Sequence, residues 1–336
     1  MEIIEVKQNL PKNYFRVNYI VGNICNYNCW YCFPGSNEGD IKWPDLDLIT
    51  KNLSHLLDYY IKNTNKRKFE IALLGGEVTH WKQFLTFIKY FKERYNCVFI
   101  LTTNGSKKLD WWEEVIPYLD QITISHHQAL CDKQHLRNLA DLIYKKNVLV
   151  NVSVIMDTNC WDDCIQSIEY YKKSKYRWSI RYIEVILTNN VKYTDEQKAL
   201  ISKVRARSSN PFYYLRVNNT FRSSVKVIDT TNKTHNVSDN MILSERLNYF
   251  YGWDCSLGID WVAIDRNGKL VGTCSNNIYD ASQIYNIYDA NFTETFSPTI
   301  TSSICTQTKG CWCGDEINMS KKKVSNTRKV IPIHAA

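Results

Sequence analysis

Asn23-Ile24-Cys25-Asn26-Tyr27-Asn28-Cys29-Trp30-Tyr31-Cys32-Phe33-Pro34-Gly35 is the stretch on which the reading of this chain turns. Cys25, Cys29 and Cys32 are spaced C-x3-C-x2-C in a short loop directly after the apolar run Phe15–Val21. Three thiolates on so short a loop can converge on one metal centre, and Cys-only ligation selects iron–sulfur clusters or zinc. Zinc and ordinary electron-transfer clusters take four protein ligands, and no fourth Cys or His lies nearby. Three ligands to a four-iron cluster leave one iron open, which points to chemistry. The blander alternatives are a zinc knuckle or a group of reduced thiols.

Working outward, apolar strand-like runs alternate with helix-like segments as far as Leu187. The strands read as Phe15–Val21, Phe69–Leu74, Val98–Thr103, Gln121–Ser125, Val148–Met156 and Tyr182–Leu187. Leu46, Ile49, Leu53, Leu56 and Tyr60 recur at helical spacing, as do Trp81, Leu85, Ile88 and Phe91, and Leu136, Leu139 and Ile143. Near-continuous apolar strands separated by amphipathic helices predict repeated βα units, an α/β fold built on a parallel sheet. Sites gather at the carboxyl ends of such strands. The cysteine loop follows the first, Gly75-Gly76-Glu77 the second, Asn104-Gly105 the third and Ser125-His126-His127 the fourth.

The cysteine loop resembles the C-x3-C-x-aromatic-C hallmark of the radical S-adenosylmethionine (SAM) enzymes, with Tyr31 as the aromatic. The resemblance implies a partial (β/α)6 TIM-like barrel and a [4Fe-4S] cluster on Cys25, Cys29 and Cys32, with SAM on the open iron. It further implies reductive cleavage of SAM to a 5′-deoxyadenosyl radical that abstracts a substrate hydrogen, and an electron donor such as flavodoxin or ferredoxin. Gly75-Gly76-Glu77, about forty residues after the cysteines, resembles the family's GGE motif, whose backbone and Glu hold the SAM amino group. Val78 stands where Pro is common. Asn104 and Ser125 match positions that contact the SAM ribose and carboxylate. Relatives often carry Asp after that Ser, whereas this chain has His126 and His127, candidates for substrate contact or proton relay. Arg181 and Glu184 on the sixth strand are either substrate contacts or a peripheral ion pair.

Composition sets the frame. The 336 residues are 44% apolar, enough for a sizeable core, and no apolar run is long enough to span a membrane. Twelve cysteines without a secretory signal read as metal ligands in a reducing compartment, the cytoplasm. Of the net charge of +8, five units sit on Lys321, Lys322, Lys323, Arg328 and Lys329. Residues 319–336 therefore read as a solvated, disordered basic tail, and nucleic-acid binding is set aside.

The expected organisation is a barrel over residues 1–190, a bridging region over 191–250, a cysteine-rich unit over 251–318, and the tail. In the bridge, Thr194-x-x-Gln197 reads as a capping box opening a helix to about Arg207. Alternating segments follow around Tyr213–Val217 and Ser224–Ile228, then a helix around Met241–Phe250. In the third unit, Cys255 and Cys274 flank a hairpin signalled by Asn267-Gly268, followed by Cys305, Cys311 and Cys313. This order resembles the SPASM and twitch extensions, which hold auxiliary iron–sulfur clusters. Five cysteines fit a single auxiliary [4Fe-4S] cluster, on Cys255, Cys274 and two of the other three, with a structural zinc ribbon as the alternative. Cys97 reads as a buried small hydrophobe. Cys131, Cys160 and Cys164 follow the fourth and fifth strands and are candidate hydrogen donors on the active rim.

What the resemblance implies is an oxidative change, a crosslink or desaturation, on a ribosomally made peptide, with a separate leader-binding protein as partner. Dehydrogenation or rearrangement of a small molecule, peptide epimerisation with a cysteine donor, and a non-catalytic iron–sulfur or zinc scaffold are the competing readings.

Overall fold

The computed structural model describes residues 2–8, 11–176, 178–185, 191–207, 224–238, 242, 246–271, 284–308, 310–311, 317 and 319–324. Among them six strands run parallel and adjacent in chain order: β2 (Tyr14–Ile20), β3 (Lys68–Leu74), β4 (Cys97–Thr103), β5 (Gln121–His126), β6 (Leu149–Met156) and β7 (Ser179–Glu184). These are the six apolar runs of the sequence. Burial on both faces explains their near-continuous hydrophobicity, since β2 is buried at every position but its last.

Helices α1 (Leu46–Asn63), α2 (Phe84–Arg94), α3 (Leu109–Val115), α4 (Lys133–Lys145) and α5 (Trp161–Lys172) connect these strands. In α1, Ile49, Leu53, Leu56 and Tyr60 form one buried stripe, and the Asp45 side chain caps the first turn by accepting from the Leu48 amide. In α4, Leu136, Leu139, Ala140 and Ile143 do the same beneath an Asp132 cap. These stripes close over one face of the sheet, meeting Phe15, Val17, Tyr19, Ile122, Ile124 and Val152 in a single apolar core. The opposite face carries alternate residues of different character, including the buried Arg16–Glu70 ion pair at 3.3 Å.

Past residue 190 the chain returns to both ends of its beginning. The capping box forms as read, the Thr194 amide donating to the Gln197 side chain at 2.9 Å, and opens α6 (Asp195–Arg207). Strands β8 (Ser224–Asp229) and β9 (Thr234–Ser238) form a hairpin. Tyr213–Val217 lies outside the described residues. Of the helix expected around Met241–Phe250, Ile242 is helical, residues 241 and 243–245 lie outside the described residues, and residues 247–250 are irregular after Arg246 at φ 53°.

Strand β10 (Trp253–Cys255) precedes the Asn267-Gly268 hairpin, which forms as β11 (Trp261–Ile264) and β12 (Leu270–Val271), with Gly268 at φ 84°. The hairpin does not stand apart as a separate layer. Strand β11 adds to the free edge of β2 in parallel register, Trp261 opposite Arg16 and Ile264 opposite Tyr19. The large sheet therefore has eight strands, ordered β12-β11-β2-β3-β4-β5-β6-β7.

A second, antiparallel sheet joins the two ends of the chain. Its central strand is β1 (Ile3–Lys7), between β8 and β14 (Lys321–Lys323), with β10 and β13 (Ser303–Ile304) beyond β14. The start of the expected disordered tail is thus an ordered strand, and Lys321 is buried, its ammonium donating to the Ile317 and Met319 carbonyls. Ile3, Val6, Val225, Val227, Phe250 and Trp253 make a second core beside it. No helix of the described residues is long and apolar enough to cross a membrane.

Candidate active site

At the carboxyl ends of β2 to β7 the loops enclose a cavity of about 650 Å³. Cys25, Cys29 and Cys32 lie along one wall, and Gly75, Gly76, Asn104, Ser125 and His127 supply others. The cysteine loop is a set of tight local turns: the Cys32 amide donates to the Cys29 carbonyl at 3.0 Å, and the Tyr27 amide faces the Cys25 sulfur at 3.4 Å. Burial raises all three thiols above their usual range, Cys29 to about 11 with Cys32 and Cys25 adding to the effect. A cationic centre would reverse that penalty, because it stabilises the thiolates that burial and mutual repulsion oppose.

Among the described residues no three His, Cys, Asp or Glu side chains are gathered for a single metal ion. The loop thiols share a cavity wall without converging on one point, as a multi-iron cluster requires. The loop thiols, the cavity beside them and the glycine-lined turn fit an iron–sulfur cluster with SAM as its ligand.

The two glycines have a sharper purpose than closeness to a ligand. A Cβ on Gly76 would lie 2.2 Å from the Ile24 carbonyl oxygen, and one on Gly75, at φ 142°, 2.7 Å from that of Gly22. The turn locks main chain to main chain against the base of the cysteine loop, with Gly76 N–H donating to Gly22 O at 3.1 Å and Glu77 N–H to Ile24 O at 2.8 Å. Glu77 itself is 1% exposed and absent from the cavity wall. Its Oε1 accepts from the Thr79 amide and hydroxyl and the Thr103 hydroxyl, at 3.2, 2.6 and 2.8 Å, and its Oε2 from the Asn104 amide at 2.6 Å. Burial nonetheless raises its pKa. In this geometry Glu77 braces the ends of β3 and β4, and Gly75 and Gly76 line the cavity in front of it.

Asn104 lines the cavity and bridges to the cysteine loop, donating to Asn26 Oδ1 at 2.8 Å. Asn26 in turn donates to Ser106 Oγ at 3.1 Å. Sequence reasoning passed over Asn26, Thr102 and Thr103. The last two line the wall at the end of β4, and the signal for them was their place beside Asn104.

The paired histidines separate. Ser125 and His127 face the cavity, and His126 points the other way, fully buried, with Nδ1 2.8 Å from the Tyr171 hydroxyl and Nε2 2.7 Å from Gln128 Oε1. The expected catalytic role for His126 is therefore not supported by its placement: strand alternation turns it into the core. His127 stacks on Tyr31 at 13°, its Nδ1 2.9 Å from the Tyr31 hydroxyl and 3.3 Å from the Cys29 sulfur. Burial lowers both imidazoles to about 4.

None of the three candidate hydrogen donors lines the cavity. The Cys131 sulfur lies 3.2 Å from His126 Nδ1, and burial lifts its thiol to about 11. Cys164 is buried against the Ile155 carbonyl at 3.4 Å, and its side chain is hydrogen-bonded to that of Cys160. The first turn of α5 folds these two thiols under the rim. Cys97 is buried at the amino end of β4, far from the rim, as expected of a packing residue. Arg181 sits opposite Ser153, deeper than the wall residue Ile183, and the Glu184 side chain lies outside the described residues.

Cys255, Cys305 and Cys311 are all buried beside the second sheet, Cys255 on β10 and Cys305 directly after β13. The Cys305 amide donates to Trp253 O and that of Cys311 to Asn248 O, each at 2.8 Å. The Cys305 thiol is raised by burial and by the proximity of Cys311 and Cys255, against the opposing charge of Lys321. Cys274 and Cys313 lie outside the described residues.

Finally, the β11–β12 hairpin touches the cysteine loop. The Arg266 guanidinium donates to Pro34 O at 3.4 and 3.5 Å and packs so closely on Gly35 that a Cβ there would meet it at 2.5 Å. Asn23, fully buried two residues before Cys25, donates to Gly35 O at 3.0 Å and to Asp40 and accepts from the Ile41 amide at 2.9 Å.

Residues 19–183, a span from the end of β2 into β7, match the family described as the Radical SAM superfamily. No curated protein matches the sequence. Among solved structures, native anSMEcpe with bound AdoMet aligns over 84% of this chain and 81% of its own, at 13% identity and a TM-score of 0.51. A hexahistidine-tagged form of anSMEcpe with bound AdoMet aligns over 84% and 77%, at 14% identity and a TM-score of 0.50. SuiB of Streptococcus suis aligns over 86% and 66%, at 13% identity and a TM-score of 0.49. At these identities the likeness to anSMEcpe is one of fold.

Proposed function

We propose that this protein is a radical SAM enzyme whose open partial barrel binds a [4Fe-4S] cluster on Cys25, Cys29 and Cys32. The observation that carries the reading is the joint geometry of the cysteine loop and the Gly75-Gly76 turn. The chain locks these two together at one end of a cavity that opens along the carboxyl ends of the strands. The match over residues 19–183 and the fold shared with anSMEcpe, whose structures hold AdoMet, support it.

When bound, the cluster and SAM supply a 5′-deoxyadenosyl radical that abstracts a substrate hydrogen. The chain's own residues orient and shield. The backbone of Gly75 and Gly76 presents polar groups to the SAM amino group, Asn104 and Ser125 offer donors and acceptors further along the wall, and Tyr31 with His127 closes the side next to Cys29. Thr103 and Asn104 are held in place by Glu77.

The reaction we favour is an oxidation, a crosslink or desaturation within a peptide. Displacement of Cys131, Cys160 and Cys164 from the cavity supports this over epimerisation, which needs a hydrogen donor in reach of the substrate radical. An auxiliary [4Fe-4S] cluster at Cys255, Cys305 and Cys311, completed by Cys274 or Cys313, is the natural electron acceptor. This cysteine-rich unit is the SPASM- or twitch-like part of the protein. A flavodoxin or ferredoxin as electron donor, a separate leader-binding protein and a cytoplasmic location complete the proposal.

The test is anaerobic reconstitution. Two four-iron sites give about eight irons per chain. Replacing Cys25, Cys29 and Cys32 by Ala is expected to halve the iron and abolish 5′-deoxyadenosine formation. Undiminished SAM cleavage in that variant refutes the assignment. Zinc at the second site refutes only the auxiliary half.

A further inference from the structure

The described wall of the active-site cavity contains no Asp, Glu, Lys or Arg side chain. Its surface beyond the thiols is made of hydroxyls, amides, one imidazole and apolar groups, the last from Leu74, Ile155, Ile183, Val185, Tyr27 and Phe33. Of the charged side chains closest in sequence to the wall, Glu38 is exposed beside Asn37, and Glu77 is turned behind the wall and holds four donors. Asp157 accepts from the Trp30 indole at 2.8 Å, Arg181 lies deeper beside Ser153, and the Glu184 side chain lies outside the described residues.

A charged group carried into such a cavity loses water and meets no counter-charge, at a cost of several kcal/mol. SAM brings its own charges to the cysteine and glycine end. Whichever part of the wall it covers, what is left of the described wall for a substrate is uncharged. Phe33, which lines the cavity from the cysteine loop, is 52% exposed and continues this character toward solvent.

We propose that the substrate group delivered to the radical is an uncharged, apolar side chain of a peptide, aliphatic or aromatic, and that the charge-free wall selects it. This rests on the radical SAM reading above and adds the substrate class to it. In the step concerned, a C–H bond of that side chain breaks homolytically, the hydrogen atom forms the new C–H bond of 5′-deoxyadenosine, and the unpaired electron stays on the substrate carbon.

The test uses the reconstituted full chain with SAM and dithionite, offered Gly-Gly-X-Gly-Gly pentapeptides in which X is perdeuterated Leu, Phe, Lys or Glu. Deuterium in 5′-deoxyadenosine is read by mass spectrometry. In parallel, equilibrium dialysis of the same peptides against the SAM-loaded, unreduced protein reads binding without turnover. Leu and Phe peptides are expected to exceed Lys and Glu peptides at least about tenfold in both. Ile183→Asp, checked for fold by circular dichroism and for iron content, is expected to shift the preference toward the Lys peptide. Transfer from Lys or Glu equal to that from Leu overturns the inference while leaving the radical chemistry standing. So does failure of every peptide to bind or to transfer deuterium. If no 5′-deoxyadenosine forms at all, the radical reading fails, and dialysis still decides the selectivity: apolar preference supports it, and none overturns it.

Discussion

Replacing Gly76 by Ala tests whether the glycine turn is a lock on the cysteine loop. The added methyl would lie 2.2 Å from Ile24 O and 2.6 Å from Ile24 C, both main-chain atoms that no rotamer change can move. The turn must retreat, and the hydrogen bonds from Glu77 N to Ile24 O and from Gly76 N to Gly22 O open with it. Overpacking costs about 1–3 kcal/mol, and leaving the buried Glu77 amide unpaired about 1–3 kcal/mol more. The expected loss is therefore about 2–6 kcal/mol, concentrated where the cluster is held. Gly39→Ala is the control, since Gly39 has φ 76° but nothing within 4 Å of its Cβ position, leaving only a backbone penalty of about 1–2 kcal/mol. Anaerobic urea denaturation gives the stability difference, and iron per chain after reconstitution gives the local effect. Gly76→Ala should lose stability beyond the control and retain less iron at the first site. Equal stability and full iron in both variants would refute the lock.

Three further expectations follow from the same geometry. Lys66, 2% exposed and paired with Asp260, should cost about 3–5 kcal/mol when changed to Met, because Asp260 is left as an uncompensated buried charge. The double change with Asp260→Leu should recover much of that in the same denaturation assay. Asp229 is held below the usual carboxylate range by the Thr231 hydroxyl and by His235. The ionised form is the one folding favours, so the melting-temperature penalty of Asp229→Ala should be full at neutral pH. It should fade as pH falls below the unfolded value of about 4. Arg266→Ala removes the guanidinium that seats Pro34 and Gly35, and should speed iron loss to a chelator without lowering global stability by more than about 1 kcal/mol.

The parallel core was legible because its signal is local: the strands carry apolar residues on the face that the amphipathic helices cover. The cysteine loop and Gly75-Gly76 were legible for a similar reason, their chemistry being written in short spacings. What the sequence concealed was sidedness. His126 and His127 are adjacent, yet one faces Tyr171 in the core and the other the cavity. That choice depends on pairing register, where a single step reverses every side chain. Cys131 and Cys164 were hidden likewise. Strands β1, β9 and β14 escaped because each is short, and because the partners of β1 and β14 are remote in the chain. Lys321-Lys322-Lys323 reads as a solvated charge run until neighbouring strands impose the extended form.

That same central position of β1 dictates an order of events during synthesis. Val6 pairs with Lys321 and with Val227, so β1 leaves the ribosome long before either of its neighbours. At about 5–20 residues per second the wait for the far partner is about 15–60 s. Both edges of β1 are unpaired until β8 is made and one until β14 is, an invitation to a chaperone or to a second nascent chain. The β11 edge and the Arg266 contact on the cysteine loop arrive almost as late. The loop is therefore open on that side until Arg266 is made, and iron delivery has its widest access before then.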